Sequence, residues 1–167
     1  MKKRKFQLVS STIADLLTKQ IAHELKNYNL YKSFANYFSV EGIQDLEKYF
    51  NHRAEEEKNH QEWIFSYLSD GDVKFMYPAV EMNTEKVASY IDPFVFTVDR
   101  EIQTTEMLYN IYTQAQSEND LMTQSWLFDK LIKEQIEEEN ISRMARSIME
   151  EDSDIFIKAD KVLDLIN

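Results

Sequence analysis

LEKYFNHRAEEEKNHQEWIFSYL, residues 46–68, is the stretch on which the fold turns. On a wheel of 100° per residue, Leu46, Phe50, Ile64 and Leu68 fall within about 20° of Glu57, and His60 sits one turn along the same stripe. The spacing predicts one helix from Ile43 to Leu68 with its apolar face turned to a core. A carboxylate and an imidazole in the middle of that face break the pattern, because a charge removed from water without a partner costs several kcal/mol.

Working outward, the same period runs upstream from Ile13 to Phe38, with Ser10, Ser11 and Thr12 as candidate N-caps and Ser39-Val40-Glu41-Gly42 as the turn between. Downstream, Ser69-Asp70-Gly71-Asp72 stops the second helix, and residues 70–91 contain Gly71, Pro78 and mixed polarity. That connection is far longer than the usual bundle loop and predicts a crossover traversing the bundle. Asp92-Pro93 reads as an N-cap with proline at the first helical position, or as a bend in a helix begun a turn earlier. A third helix runs to Gln116. Ser117-Glu118-Asn119-Asp120 breaks the chain, a fourth helix reaches Met149, and a short fifth follows residues 150–154 with Ile155, Ile157, Val162, Leu163 and Leu165. With two Gly and two Pro in 167 residues, the expectation is all-α: a four-helix bundle with a long crossover between helices two and three. It divides into a basic arm at 1–10 and one domain at 11–167.

The other helices repeat the anomaly of the second. Leu17, Ile21, Tyr28, Tyr31, Ala35 and Phe38 share a face with Glu24; Phe94, Val98, Leu108 and Tyr112 flank Glu101; Phe128, Leu131, Ala145 and Met149 share theirs with Gln135 and Glu138. Register supports a common level, since residues of an antiparallel hairpin face each other when equidistant from its turn. The midpoint of Glu24 and Glu57 falls in the turn 39–42, and that of Glu101 and Gln135 in the break 117–120. Arg53 is the one basic residue near the inward stripe of helix two, and Arg100 and the lysines lie mostly off the stripes. A metal therefore explains the inward carboxylates better than buried cationic side chains. Carboxylates with one imidazole favour iron or manganese and tolerate zinc, and Glu57-x-x-His60 at i, i+3 is the metal-binding unit of dimetal bundles.

Composition excludes other classes. Thirty acids against 19 Lys plus Arg give a net charge of −11, which repels nucleic acid and anionic lipid. Zero Cys removes disulfides, thiolate metal sites and a cysteine nucleophile, and fits the cytoplasm. No apolar run approaches the ~20 residues of a membrane span, and the start Met1-Lys2-Lys3-Arg4-Lys5 lacks the apolar core of a signal peptide.

His23-Glu24-Leu25 with Tyr31 seven residues on, Glu55-Glu56-Glu57-Lys58-Asn59-His60, Glu101, and Glu134-Gln135-Ile136-Glu137-Glu138-Glu139 together resemble the non-haem bacterial ferritins over residues 8–167. The resemblance implies that Glu24, Glu57 and His60 hold a first iron, and that Glu57 and Glu101, with Glu138 as a further candidate, hold a second. Gln135 lies nearby, and Glu56, Glu134, Glu137 and Glu138 match an outer, third iron site. Tyr31 matches the tyrosine beside the centre, a candidate electron donor. The resemblance further implies a ferroxidase that turns Fe(II) into Fe(III) with O2 or H2O2, and storage of the mineral inside a homo-oligomeric shell of twenty-four subunits.

The sequence departs from the pattern in several places. Gln135-x-x-Glu138 stands where bacterioferritins and related oxidases carry a second Glu-x-x-His; Lys58 follows the bridging Glu where haem-binding members have Met, which predicts no haem. Lys130 aligns with a Trp near the site, and one extra residue falls around 117–121. His23 and His52 read as structural imidazoles, Glu139 as a solvated charge, and Trp63 and Trp126 as packing or interface residues. Tyr31 stands between packing and chemistry, and Glu56 and Glu137 between an outer site and simple exposure. Two alternatives to iron storage remain: a ferritin-like diiron oxidase or peroxide reductase without storage, and a shell protein with an inactive centre.

Overall fold

A computed structural model describes residues 8–167. Residues 1–7 of the basic arm lie outside the described residues. Among the described residues the regular structure is helical throughout: α1 Ser11–Val40, α2 Gln44–Asp70, α3 Asp92–Ser117, α4 Leu121–Leu127, a π-helical turn Phe128–Ile132, α5 Lys133–Met149 and α6 Ile155–Leu163, closed by a 3₁₀ turn. No described helix is long and apolar enough to cross a membrane.

Local chemistry sets the boundaries. The Ser10 side chain accepts from the Ile13 amide, Asp120 from Thr123 and Asp154 from Phe156, each capping a helix start. Gly42 turns α1 into α2 at φ +75°, a left-handed conformation that glycine adopts without steric cost. Asn119 does the same between α3 and α4 at φ 56°. Asp92 is not the N-cap expected: it is the first residue of α3, and its carboxylate accepts from the Ala88 and Ser89 amides, closing the turn upstream.

α1 packs on α2 and α3, α3 on α5, and α6 closes one end against α2 and α5. Residues 71–91 contain no helix or strand. Val73 and Phe75 pack at one end of the bundle and Val87 and Ile91 at the other, so the crossover runs its length and α3 is parallel to α2.

The core is split in two. One apolar cluster takes Leu30 to Phe38, Leu46 to Ala54, Phe94, Ala145 and Met149; the other takes Ile13 to Ile21, Ile64, Leu68, Leu108, Ile111, Leu127 and Leu131. In the first, the Phe38, Phe50 and Phe94 rings bind α1, α2 and α3, with centroids 5.6 Å and 5.1 Å apart along the chain of contacts. Between the clusters lies a buried polar layer that every long helix crosses.

The fourth helix corrects the wheel. Phe128, expected on the inner face, is 46% exposed, whereas Leu127 and Ile132 are buried. A π turn takes in one more residue than an α turn, so positions before it are rotated relative to a strict 100° count from Gln135.

Candidate metal centre

The polar layer holds Glu24 from α1, Glu57 and His60 from α2, Glu101 from α3, and Gln135 and Glu138 from α5, all at most 2% exposed. Spacing explains the convergence: each sits mid-helix on the stripe whose outer turns fill the two apolar clusters. The hairpin register holds, because Gln135 Nε2 donates to Glu101 Oε2 at 2.8 Å and to the Glu101 carbonyl at 3.2 Å.

Three groups of ligand-type atoms form, each within 4.8 Å: Glu24, Glu57 and His60; Glu57, Glu101 and Glu138; and His60, Glu134 and Glu138. Any two groups share one residue. A carboxylate common to two groups is what two neighbouring cations need in order to be bridged, and hard oxygen donors with an imidazole suit Fe, Mn or Zn. Several of these donors have no hydrogen-bond partner: Glu24 Oε2, Glu57 Oε2, both His60 ring nitrogens and both Glu138 oxygens. Buried acceptors are normally satisfied, so this concentration points to a cation. His60 Nε2 lies 3.1 Å from Glu138 Oε1, an ion-pair distance without hydrogen-bond alignment.

Electrostatics follow from the crowding. Burial, then the charges of Glu24 and Glu101, hold the Glu57 carboxyl well above the usual range. Burial works against the His60 imidazolium, but Glu138 beside it prevails and raises it to about 10. Burial also raises Glu101 despite Arg53, whereas His60 and Arg53 outweigh burial at Glu138 and lower it.

The remaining expected residues divide. Tyr31 is fully buried and donates to Glu101 Oε1 at 2.5 Å, so it touches the centre as well as packing against Phe34 and Phe50. Glu134, partly exposed, reaches the group with His60 and Glu138. Glu56 turns to Arg53 at 2.8 Å and His52 at 3.2 Å, and Glu137 is exposed; neither enters the three groups. Lys130 Nζ stands 5.8 Å from the Trp63 ring, which lies 5.4 Å from the His60 ring. His23 is a core imidazole against Thr104 at 2.7 Å and Asn27 at 3.2 Å, and burial lowers its pKa.

Two residues of the layer were undervalued in the sequence. Arg53, set aside there in favour of a metal, is completely buried, with Nη2 2.7 Å from Glu101 Oε1 and 3.8 Å from Glu138 Oε2. Gln20 Nε2 donates to Glu24 Oε1 at 2.6 Å. The signal for both was their position, one turn before Glu57 and Glu24 on the same face.

The ferritin-like domain family matches residues 14–148. A bacterial non-heme ferritin of Staphylococcus aureus (strain USA300) is 26% identical over 134 residues, 80% of either chain. Ferritin BfrB of Mycolicibacterium smegmatis is 28% identical over 123 residues, 74% of this chain and 67% of that one. Among solved structures, an open pore ferritin from Archaeoglobus fulgidus superposes with a TM-score of 0.84 at 23% identity, covering 95% of this chain and 98% of the other. A Chlorobium tepidum ferritin gives 0.80 at 23% identity, covering 84% and 85%.

Proposed function

The chain belongs to the ferritin family, and from that premise we propose that it is an iron-storage protein that oxidises Fe(II) to Fe(III) in its polar layer. The observation that carries this reading is the cluster of unpartnered donors on Glu24, Glu57, His60 and Glu138 at the level where the apolar core is interrupted. Fe(II) is the substrate. In the proposed reaction two Fe(II) ions give up one electron each; O2 with two protons becomes H2O2, or H2O2 with two protons becomes water.

The chain's part is to gather and neutralise charge. Glu57, shared by two groups, is the proposed bridge; its carboxyl releases its proton as a cation arrives. Glu24 and His60 complete the first position, and Glu101 and Glu138 the second. Glu134 extends the donor set outward, with Glu56 and Glu137 as acidic neighbours. Anionic oxygens favour the ferric product over the ferrous substrate, and Tyr31, bonded to Glu101, stands where it can give an electron. Product then collects inside a cytoplasmic twenty-four-subunit shell of this chain. Exposed Phe65, Tyr109, Ile136 and Met144 on the long helices support such assembly, as apolar area that neighbours would cover.

The test is rapid mixing of Fe(II) with the metal-free protein in aerobic buffer, followed by ferric absorbance, for the wild type and Glu57→Ala. Fast saturable oxidation in the wild type, lost in the variant, is expected. Equal rates in both would remove the centre from the reaction.

A further inference from the structure

Arg53 brings a fixed positive charge into the layer of inward carboxylates. Its side chain is 0% exposed, and its contacts are confined to one side of the site: Nη2 to Glu101 Oε1 at 2.7 Å, to Ser142 Oγ at 3.4 Å and to Glu138 Oε2 at 3.8 Å, and Nη1 to Glu56 Oε2 at 2.8 Å. None of its partners belongs to the group of Glu24, Glu57 and His60.

A carboxylate offers about four lone-pair sites. At Glu101 three are taken by protein donors: Tyr31 and Arg53 on Oε1, Gln135 on Oε2. Glu24 and Glu57 each keep an oxygen without a partner, and His60 keeps both ring nitrogens. The two positions therefore differ. The first is lined by free donors; the second shares the free Glu57 oxygen and keeps both Glu138 oxygens without hydrogen bonds, but its Glu101 has only one lone-pair site left and the guanidinium stands against both Glu101 and Glu138. A divalent ion there would also meet the fixed charge of an arginine, a group that stays protonated in proteins.

We propose that Arg53 is a built-in counter-ion of the second metal position, so that this chain binds one divalent metal tightly at Glu24, Glu57 and His60 and admits a second only when the guanidinium leaves Glu101. Glu56, which already accepts from Nη1, is the pivot on which it withdraws. Arg53 is thus a positioning residue that makes filling of the pair sequential. The inference rests on the proposed metal centre and adds an inequality between its halves.

Zn(II), which is redox-inert, is titrated calorimetrically into the metal-free wild type and into Arg53→Gln, both as full-length assemblies. The wild type is expected to take one tight equivalent per chain, with any second at least about tenfold weaker. Arg53→Gln is expected to take two equivalents of comparable affinity. Two equal tight equivalents in the wild type would overturn the role of Arg53 and leave the metal centre standing. No tight binding in either protein would overturn the centre and the inference together. If Arg53→Gln does not fold, Glu56→Gln, which removes the group toward which the guanidinium withdraws, is titrated instead: a second equivalent weaker than in the wild type is expected, and an unchanged one would overturn the role of Arg53.

Discussion

Replacing Glu57 by Gln separates a metal ligand from a structural carboxyl. In the metal-free protein burial and the charges of Glu24 and Glu101 push the Glu57 carboxyl toward its neutral form, which the amide matches in shape and charge. The metal-free variant is therefore expected to stay within about 1 kcal/mol of wild type. With Zn(II) present the two diverge. At a metal concentration about a hundredfold above Kd, linkage stabilises the wild type by about 2.7 kcal/mol. For a chain of this size that is a rise in Tm of about 5–10 °C. Supporting residues around metals alone change affinity by about 10–100-fold, and Glu57 belongs to two of the three donor groups. A hundredfold weaker site would retain about 0.4 kcal/mol, close to 1 °C. Differential scanning fluorimetry with and without Zn(II) reads both numbers. An undiminished rise in Glu57→Gln would refute the ligand role, and a metal-free variant several degrees less stable would make the carboxyl structural.

Glu101→Gln is expected to destabilise the metal-free protein by about 3 kcal/mol or more, because Arg53 is left buried against a weakened acceptor; urea midpoints at unchanged m-value measure it. Phe38→Ala opens the ring cluster joining α1, α2 and α3 and should cost about 3–5 kcal/mol by the same assay. His23 is depressed by burial, so its contribution to stability is present above its unfolded pKa of about 6.5 and is lost as pH falls from there toward the lower folded value. In His23→Gln the Tm against pH curve should be flatter through that window.

Helix boundaries and register were legible because they rest on local rules. The Ser10 cap and the turn at Gly42 act within a few residues, and the midpoint test for Glu101 and Gln135 needs only antiparallel geometry. The inner residues of three helices followed directly from 100° spacing, with Tyr28 and Tyr112 only partly buried at the edges. The fourth failed at Phe128, since a π turn has no signal in side-chain period. Arg53 was legible as a position but not as a partner. Its stripe is visible in α2 alone, whereas its acceptors Glu101 and Glu138 arrive from α3 and α5. Glu56 was ambiguous for the same reason: its pairing with Arg53 and His52 depends on which way a half-buried side chain turns.

The central claim is storage, and the most direct measurement is the iron retained per chain after aerobic Fe(II) addition and removal of free metal. The account predicts far more iron per chain than the three overlapping donor groups can coordinate, held in a large closed assembly. Retention of only as many ions as those groups hold, in a small oligomer, would contradict storage and leave a metal-binding bundle.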